Sequence, residues 1–569
     1  MDKLFEISWE VCNKVGGIYT VINSKTNYIK EKFKRYIFIG PYFRNKENPE
    51  FEGRETPNEF KEIFEELKNK KIFCFYGIWK TNNTETILID SAEFMQFKND
   101  IKKKLWEDYA VDSLYSDFWF EEPVIWGYAV GIFLEKVYQK DHTHFIAHFH
   151  EWLSGTGILY LKKTPTRISK VFTIHATVIE RALAGIGKRI GDVEDIEEEA
   201  KQRNVLDKHG IEKQAVINCD IFTTVSDTLA KSAETIFKRK PEVIVLNGLN
   251  LPLIGESSPK KSRKRIKEII MSSFSPYYYI NFEKTFLFFI SGRYEFHGKG
   301  IDILIKALGR LNKKLIEEKS RINIICFFLI PINSTNKNEN ILRNLSKIKN
   351  IKEEVIKKED ILEPFIEFLF NPYEDCNKLR EIFSEVKLIK EEGNPKVSTS
   401  YFESNEIIRN FYLEGLDNKE ENQVKVLFHP NYIEEKDELT QQNYYGFTSG
   451  FDLGIFPSFY EPWGYTPLES ITCRVPTIAS NESGFGDYLL KKYGEEECRE
   501  NAVTVLKRKD KTEEQIIEEM TKELYNFCKT PREIIIQMKR KTQNLAKEFS
   551  WSELIENYVK TYDLAKKIK

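Results

Sequence analysis

Two series of short apolar runs, each parted from the next by a helix-length stretch, predict an α/β protein built of two Rossmann-like domains. The runs are rich in β-branched and aromatic residues and lack polar alternation, as strands covered on both faces require. The first series lies at 36–40, 72–76, 145–149, 171–174, 221–225 and 243–246. The second lies at 285–290, 324–328, 424–428, 453–456 and 475–479. Length agrees, since 569 residues exceed one ordinary domain.

Composition narrows the classes. Basic and acidic residues nearly cancel, 86 against 88, so charge gives no reason to invoke nucleic acid. Eight cysteines are scattered without a C-x2-C pair, which argues against a zinc ribbon or a redox motif. The chain runs from Met1-Asp2-Lys3 into Phe5-Glu-Ile-Ser-Trp9, with no leader-like apolar stretch, and no run is long enough to span a bilayer. A cytoplasmic protein without a membrane partner is expected.

The domain boundary is expected after Asn247-Gly-Leu-Asn250, at the polar stretch 256–263. That gives a first domain over 1–255 and a second over 256–549. The charge-rich part at about 340–422 has helical periodicity and reads as an insertion in the second series. A final helix is expected over 550–569. Ser550 and Glu553 have capping-box spacing, and Trp551, Leu554, Ile555, Tyr558 and Tyr562 share one face.

Chemistry concentrates between Phe447 and Tyr488. A strand at 453–456 feeds a loop carrying Glu461 and Gly464. Thr466-Pro-Leu-Glu469 then reads as a helix start, with Thr466 as N-cap, Pro467 first in the helix and Glu469 three after the cap. Open parallel sheets bind anions where a strand feeds a helix N-terminus. Ser483-Gly-Phe-Gly486 reads as a second glycine loop at the same end of the sheet. After the strand at 285–290 comes Ser291-Gly-Arg293-Tyr-Glu-Phe-His-Gly-Lys299-Gly300. Two cations six apart on such a loop can converge on one diphosphate, arginine as a fork and lysine as a point charge.

Near the N-terminus, Lys14-Val-Gly16-Gly17 stands between a strand and a helix, where bare backbone N–H groups can approach phosphate or sugar oxygens. No G-x-G-x-x-G is present, which disfavours a nicotinamide dinucleotide. His148-Phe-His150-Glu151-Trp152 and His175 each end a strand. His-x-His on one strand can share a face, but no carboxylate or cysteine set completes it, so no metal is expected.

Tyr460-Glu-Pro-Trp-Gly-Tyr-Thr-Pro-Leu-Glu469 resembles the E-x7-E signature of retaining glycosyltransferases, and its wording is similar to that of the fungal and animal glycogen synthases. The resemblance runs from Phe5 to the last helix. It implies a GT-B fold, two Rossmann-like domains facing a cleft, with the last helix crossing back to the first domain. It implies transfer of glucose from UDP-glucose to the non-reducing 4-OH end of an α-1,4-glucan with retention, without a metal or other cofactor. By the same resemblance Lys14, Gly16 and Gly17 form a donor-site loop, and His150, Glu151, Trp152 and Asn247 bind substrate. His175 lies against the donor glucose, with Arg181 in the catalytic cleft. Arg293 and Lys299 hold the diphosphate, Tyr465 and Thr466 lie beside it, Glu461 faces the glucose and Glu469 the ribose. Tyr444 matches a tyrosine that stacks on uracil, or is a core aromatic.

The implied partners are glycogen, a glycogenin-like primer protein and three further copies of the chain in a tetramer. Lys539, Arg540 and Lys541 match a sugar-phosphate site where the family carries arginines, and Asn544 loses the charge expected there. Weak or absent glucose-6-phosphate activation follows, because lysine cannot form the forked contact. The alternatives are a related nucleotide-sugar glucosyltransferase with another acceptor and a non-catalytic glucan-binding scaffold. A glycoside hydrolase would leave the Arg/Lys loop without a purpose.

Overall fold

A computed structural model describes residues 3–251, 258–332, 334–355 and 387–568. The chain divides into two compact units, Met1–Asn250 with Glu548–Lys569, and Leu251–Lys547.

The first unit holds a nine-stranded sheet: β1 (Lys3–Ile7), β2 (Arg35–Pro41), β3 (Phe51–Gly53), β4 (Phe73–Trp79), β5 (Thr84–Asp90), β6 (Phe145–His150), β7 (Ile168–Ile174), β8 (Ile221–Thr224) and β9 (Val243–Ile244). Their order is β3-β4-β5-β2-β1-β6-β7-β8-β9. From β5 to β9 every pairing is parallel, but β3–β4 and β4–β5 are antiparallel. The expectation of a purely parallel sheet is corrected at this edge. A tight turn with Asn83 at φ 50° joins β4 to β5, and so short a link permits only antiparallel pairing.

The second unit holds β10 (Thr285–Ser291), β11 (Asn323–Leu329), β12 (Val424–His429), β13 (Leu453–Phe456), β14 (Thr477–Ser480) and β15 (Val503–Leu506). They are parallel throughout, in the order β12-β11-β10-β13-β14-β15. β10 is buried along its whole length, with Phe288 and Ile290 packed in a core that includes Ile305 and Leu308 of the helix Ile301–Glu317.

In both sheets the chain leaves its first strand in one direction and later returns on the other side. β1 is flanked by β2 and β6, and β10 by β11 and β13. The loops at the C-terminal ends of those strands diverge, which makes each a topological switch point.

Of the expected insertion, 356–386 lies outside the described residues. The described part begins with the helix Glu339–Val355. Asn344 ties it down, donating to Ser272 O at 3.1 Å and Ile389 O at 3.0 Å. No described helix is long and apolar enough to cross a membrane.

The last helix, Trp551–Lys566, packs within the first unit. Trp551, Tyr558 and Tyr562 are fully buried, and Trp551 Nε1 donates to Ser24 Oγ at 2.7 Å. Ser550 precedes the helix without capping it; its hydroxyl pairs with Ser552 Oγ at 2.6 Å, so the expected capping box does not form. Trp551→Ala should cost about 3–5 kcal/mol, the usual penalty for emptying a buried aromatic site. Urea unfolding of the variant checks this, and an unchanged midpoint would contradict the packing.

Candidate functional site

In the second unit the site grows from the switch point between β10 and β13. Ser291 ends β10, and the loop to Gly300 carries Arg293 and Lys299. Phe459 N donates to Gly298 O at 2.9 Å, which locks this loop to the one following β13. Gly300 has φ +67°, and a Cβ there would lie 2.1 Å from Pro457 O, so the loops meet at a distance only glycine allows. Arg508, buried and remote in sequence, donates to that same Pro457 carbonyl.

This closure brings Lys299 to Glu461. Lys299 Nζ donates to Glu461 Oε2, with the two side chains only 12% and 16% exposed. Arg293 is half exposed and lies 3.1 Å from Glu295 Oε1. The stem of Lys299 runs beside Gly292, with Cδ and Cε 3.7 Å from where a Cβ would stand. Both cations therefore leave one loop at the head of β10.

The helix after Glu461 runs Tyr465–Thr472. Its N-cap is Gly464 at φ 110°, not Thr466, so that reading is corrected. Only glycine takes this backbone conformation readily, which places Tyr465, Thr466 and Pro467 all in the first turn. Glu469, past the first turn of this helix, accepts from Tyr445 OH at 3.1 Å. Tyr444 OH meets Ser291 Oγ at 2.6 Å, and burial pushes its phenol well above the ordinary range. Ser483 caps the helix Gly484–Glu500, accepting from Gly486 N at 3.0 Å, so the expected glycine loop is a helix start.

Lys539 turns inward. It donates to Phe451 O at 2.6 Å and lies 3.7 Å from Asp452, a buried carboxylate also held by Arg263 at 2.8 Å. Burial brings the Lys539 ammonium down to about 8. Arg540 and Lys541 stay exposed.

In the first unit the candidates lie at the ends of β1, β6 and β7. Lys14 is exposed, 5.8 Å from the Tyr19 ring centroid. Glu10 Oε2 already accepts from Gly16 N and Tyr19 N, both at 2.8 Å, so this carboxylate shapes the glycine loop. Gly17 opens the helix Gly17–Ser24. Trp152 is half-buried, stacked on Phe120 at 6.4 Å. Arg181 is exposed on the helix Val178–Ala184. Asn247 is buried, and its Oδ1 has no hydrogen-bond partner among the described residues.

His150 and Glu151 are both buried. Glu151 takes φ +65°, a strained conformation for a non-glycine residue, and accepts from His175 N at 2.7 Å and Ala176 N at 3.1 Å. Desolvation raises its carboxyl, and Arg181 partly offsets this. His150 Nδ1 meets His175 Nε2 at 2.9 Å, and His150 Nε2 meets Glu6 Oε1 at 2.7 Å. Both residues thus support His175, which stays partly open to solvent.

Glu6 escaped the sequence reading, although a carboxylate within the apolar run Leu-Phe-Glu-Ile needs a buried partner. It supplies the carboxylate that the His148/His150 pair lacked, and the three could converge on a metal ion. Lys25 is there instead: its ammonium lies 2.7 Å from Glu6 Oε1 and 2.9 Å from Oε2. Tyr36 OH also donates to Glu6. Burial alone would raise the Glu6 carboxyl, but Lys25 and the His150 hydrogen bond hold it well below the ordinary range. His148 is engaged on both ring nitrogens, by Tyr562 OH at 3.0 Å and Thr173 Oγ1 at 2.7 Å. Cations and hydrogen bonds already satisfy this cluster.

Solved structures share the fold. The catalytic domain of starch synthase IV from Arabidopsis thaliana, bound to ADP and acarbose, superposes with a TM-score of 0.54 at 14% identity, covering 99% of each chain. A trehalose-6-phosphate structure from E. coli, bound with UDP-2-fluoro glucose, gives 0.52 at 10% identity over 99% of each. The fold is therefore GT-B. The family model described as glycogen synthase matches residues 6–568. Glycogen [starch] synthase of Neurospora crassa is 30% identical over 99% of this chain and 83% of its own length. The human liver glycogen [starch] synthase is 30% identical over 98% and 82%. The chain belongs to the glycogen synthase family.

Proposed function

We propose that the protein transfers glucose from UDP-glucose to the non-reducing 4-OH end of an α-1,4-glucan, with retention of configuration. The observation that carries this is the loop after β10. Arg293 and Lys299 both leave it, Lys299 paired with Glu461, whose own loop leads into the helix Tyr465–Thr472. Charge grows on a departing diphosphate, and fixed cations aimed there stabilise the transition state. These two side chains supply that charge without a metal. The departing phosphate takes the acceptor's proton as the new bond forms on the face it leaves. By the family resemblance His175 and Arg181 serve the donor sugar, with Lys14, Gly16, Gly17, His150, Glu151, Trp152 and Asn247 in substrate binding. Tyr444, Tyr465, Thr466 and Glu469 serve the nucleotide.

Labelled UDP-glucose incubated with glycogen tests this reading. The label should enter glycogen as outer 4-linked α-glucose that β-amylase removes as maltose. Label appearing as free glucose or in a small-molecule glucoside would overturn it.

Family membership supports a cytoplasmic enzyme, a homo-tetramer and a glycogenin-like primer protein as parts of the same proposal. Regulation follows from the last helices. With Lys539 committed to Phe451 O and Asp452, only Arg540 and Lys541 remain exposed of the three matching positions. Glucose-6-phosphate should therefore activate weakly or not at all. A large rise in rate at millimolar sugar phosphate would refute this.

A further inference from the structure

We propose that Glu6, acting through His150, sets the tautomer of His175 so that its Nδ1 stands as a bare hydrogen-bond acceptor for a hydroxyl of the donor sugar. The inference rests on the reading that His175 meets the donor. Its first half, the tautomer, stands on the hydrogen-bond geometry and burial of the chain's own residues.

The chain of donors can be followed atom by atom. Glu6 is fully buried against Lys25 and is a carboxylate, which only accepts. His150 Nε2, 2.7 Å from Glu6 Oε1, must therefore carry a proton and donate it. A second charge on His150 would stand beside the buried Lys25 ammonium, and burial already disfavours the imidazolium there. With His150 neutral, its Nδ1 carries a lone pair. His175 Nε2, 2.9 Å away, then has to be the donor. His175 is itself held neutral by burial, so its one proton is spent on His150 and Nδ1 keeps a lone pair. Among the described residues nothing bonds to that nitrogen, and the ring reaches solvent while His150 does not.

The backbone fixes the same ring. Glu151 binds the N–H groups of His175 and Ala176. Glu6 and His150 are thus positioning residues on β1 and β6, and His175 at the end of β7 is the one that touches ligand. A bare imine nitrogen accepts an O–H. It therefore selects a sugar whose hydroxyl can donate, and rejects fluorine or hydrogen at that carbon.

Two measurements test this. In protein labelled with ¹⁵N-histidine, with the His175 signals assigned by their loss in His175→Ala, Nε2 should be protonated and Nδ1 should not. The opposite tautomer, or an imidazolium at neutral pH, would overturn the proposal whatever the enzyme's activity. The second uses UDP-glucose analogues with each hydroxyl replaced in turn by hydrogen and by fluorine. At one position both replacements should lower kcat/KM by on the order of ten-fold, the value of one hydrogen bond, and His175→Ala should abolish that discrimination. In Glu6→Gln the glutamine amide can donate to His150 Nε2 and reverse the relay, so the fluoro analogue should now outperform the deoxy one. A purely structural Glu6 would leave the two analogues equal. If Glu6→Gln does not fold, the tautomer and analogue results for the native protein decide. If no UDP-hexose is turned over at all, the proposed function falls while the tautomer result stands.

Discussion

Arg293→Ala is expected to lower turnover by on the order of 10²-fold or more, as removal of one preorganised donor to a developing charge does elsewhere. Arg293 is the second residue of the loop after β10, at the switch point of the second sheet, with half of its side chain exposed. Its protein partner in this state is Glu295 at 3.1 Å. A half-exposed pair of this kind contributes little to stability. The variant should therefore melt with the native protein while its kcat collapses and its affinity for glycogen holds. Steady-state kinetics beside a thermal melt reads both. A folded variant with a near-native rate would remove Arg293 from the chemistry.

Lys299→Met should lose at least as much turnover, of order 10²-fold or more, and should also lose stability. Lys299 and Glu461 are paired and mostly shielded from water. Without the ammonium, the carboxylate is left with one hydrogen-bond partner fewer, at a cost of about 1–3 kcal/mol. The double variant Lys299→Met/Glu461→Gln separates the roles. It should regain most of the stability, because no charge is left unpaired, yet stay inactive, because nothing replaces the cation at the diphosphate. Recovery of activity along with stability would make the lysine a structural residue. Lys299→Arg should restore the charge only in part, since the fork does not fit a stem packed against Gly292.

Much of this was legible in the sequence, and the misses share a cause. Unbroken apolar runs marked the central strands because strands covered on both faces need no polar alternation. β3, β5 and β15 were missed: β3 is only three residues long, and Thr-Glu-Thr in β5 and Thr504 in β15 dilute the signal. The helix start was misread at Thr466. A Thr-Pro-x-Glu pattern imitates a cap, while the deciding feature, Gly464 at φ 110°, is a backbone angle. The pairing of Glu461 with Lys299 was not legible, because it exists only once the two loops close on each other. Glu6 and Lys25 were invisible as a pair. Their meaning depends on β1 lying beside β6, which carries His150, and the topology sets that neighbour, not local spacing. The burial of His150 and Glu151 was not legible either, because alternation along a strand tells which residues share a face and not how deep that face lies.

The most direct test is UDP release by the purified protein in EDTA, with UDP-glucose or ADP-glucose, with and without glycogen. The account predicts release from UDP-glucose that requires glycogen, persists without free metal and is lost in Arg293→Ala. Release that stops in EDTA and returns with a divalent cation would contradict the two-cation mechanism. No release with either nucleotide sugar would contradict the assignment of donor and acceptor.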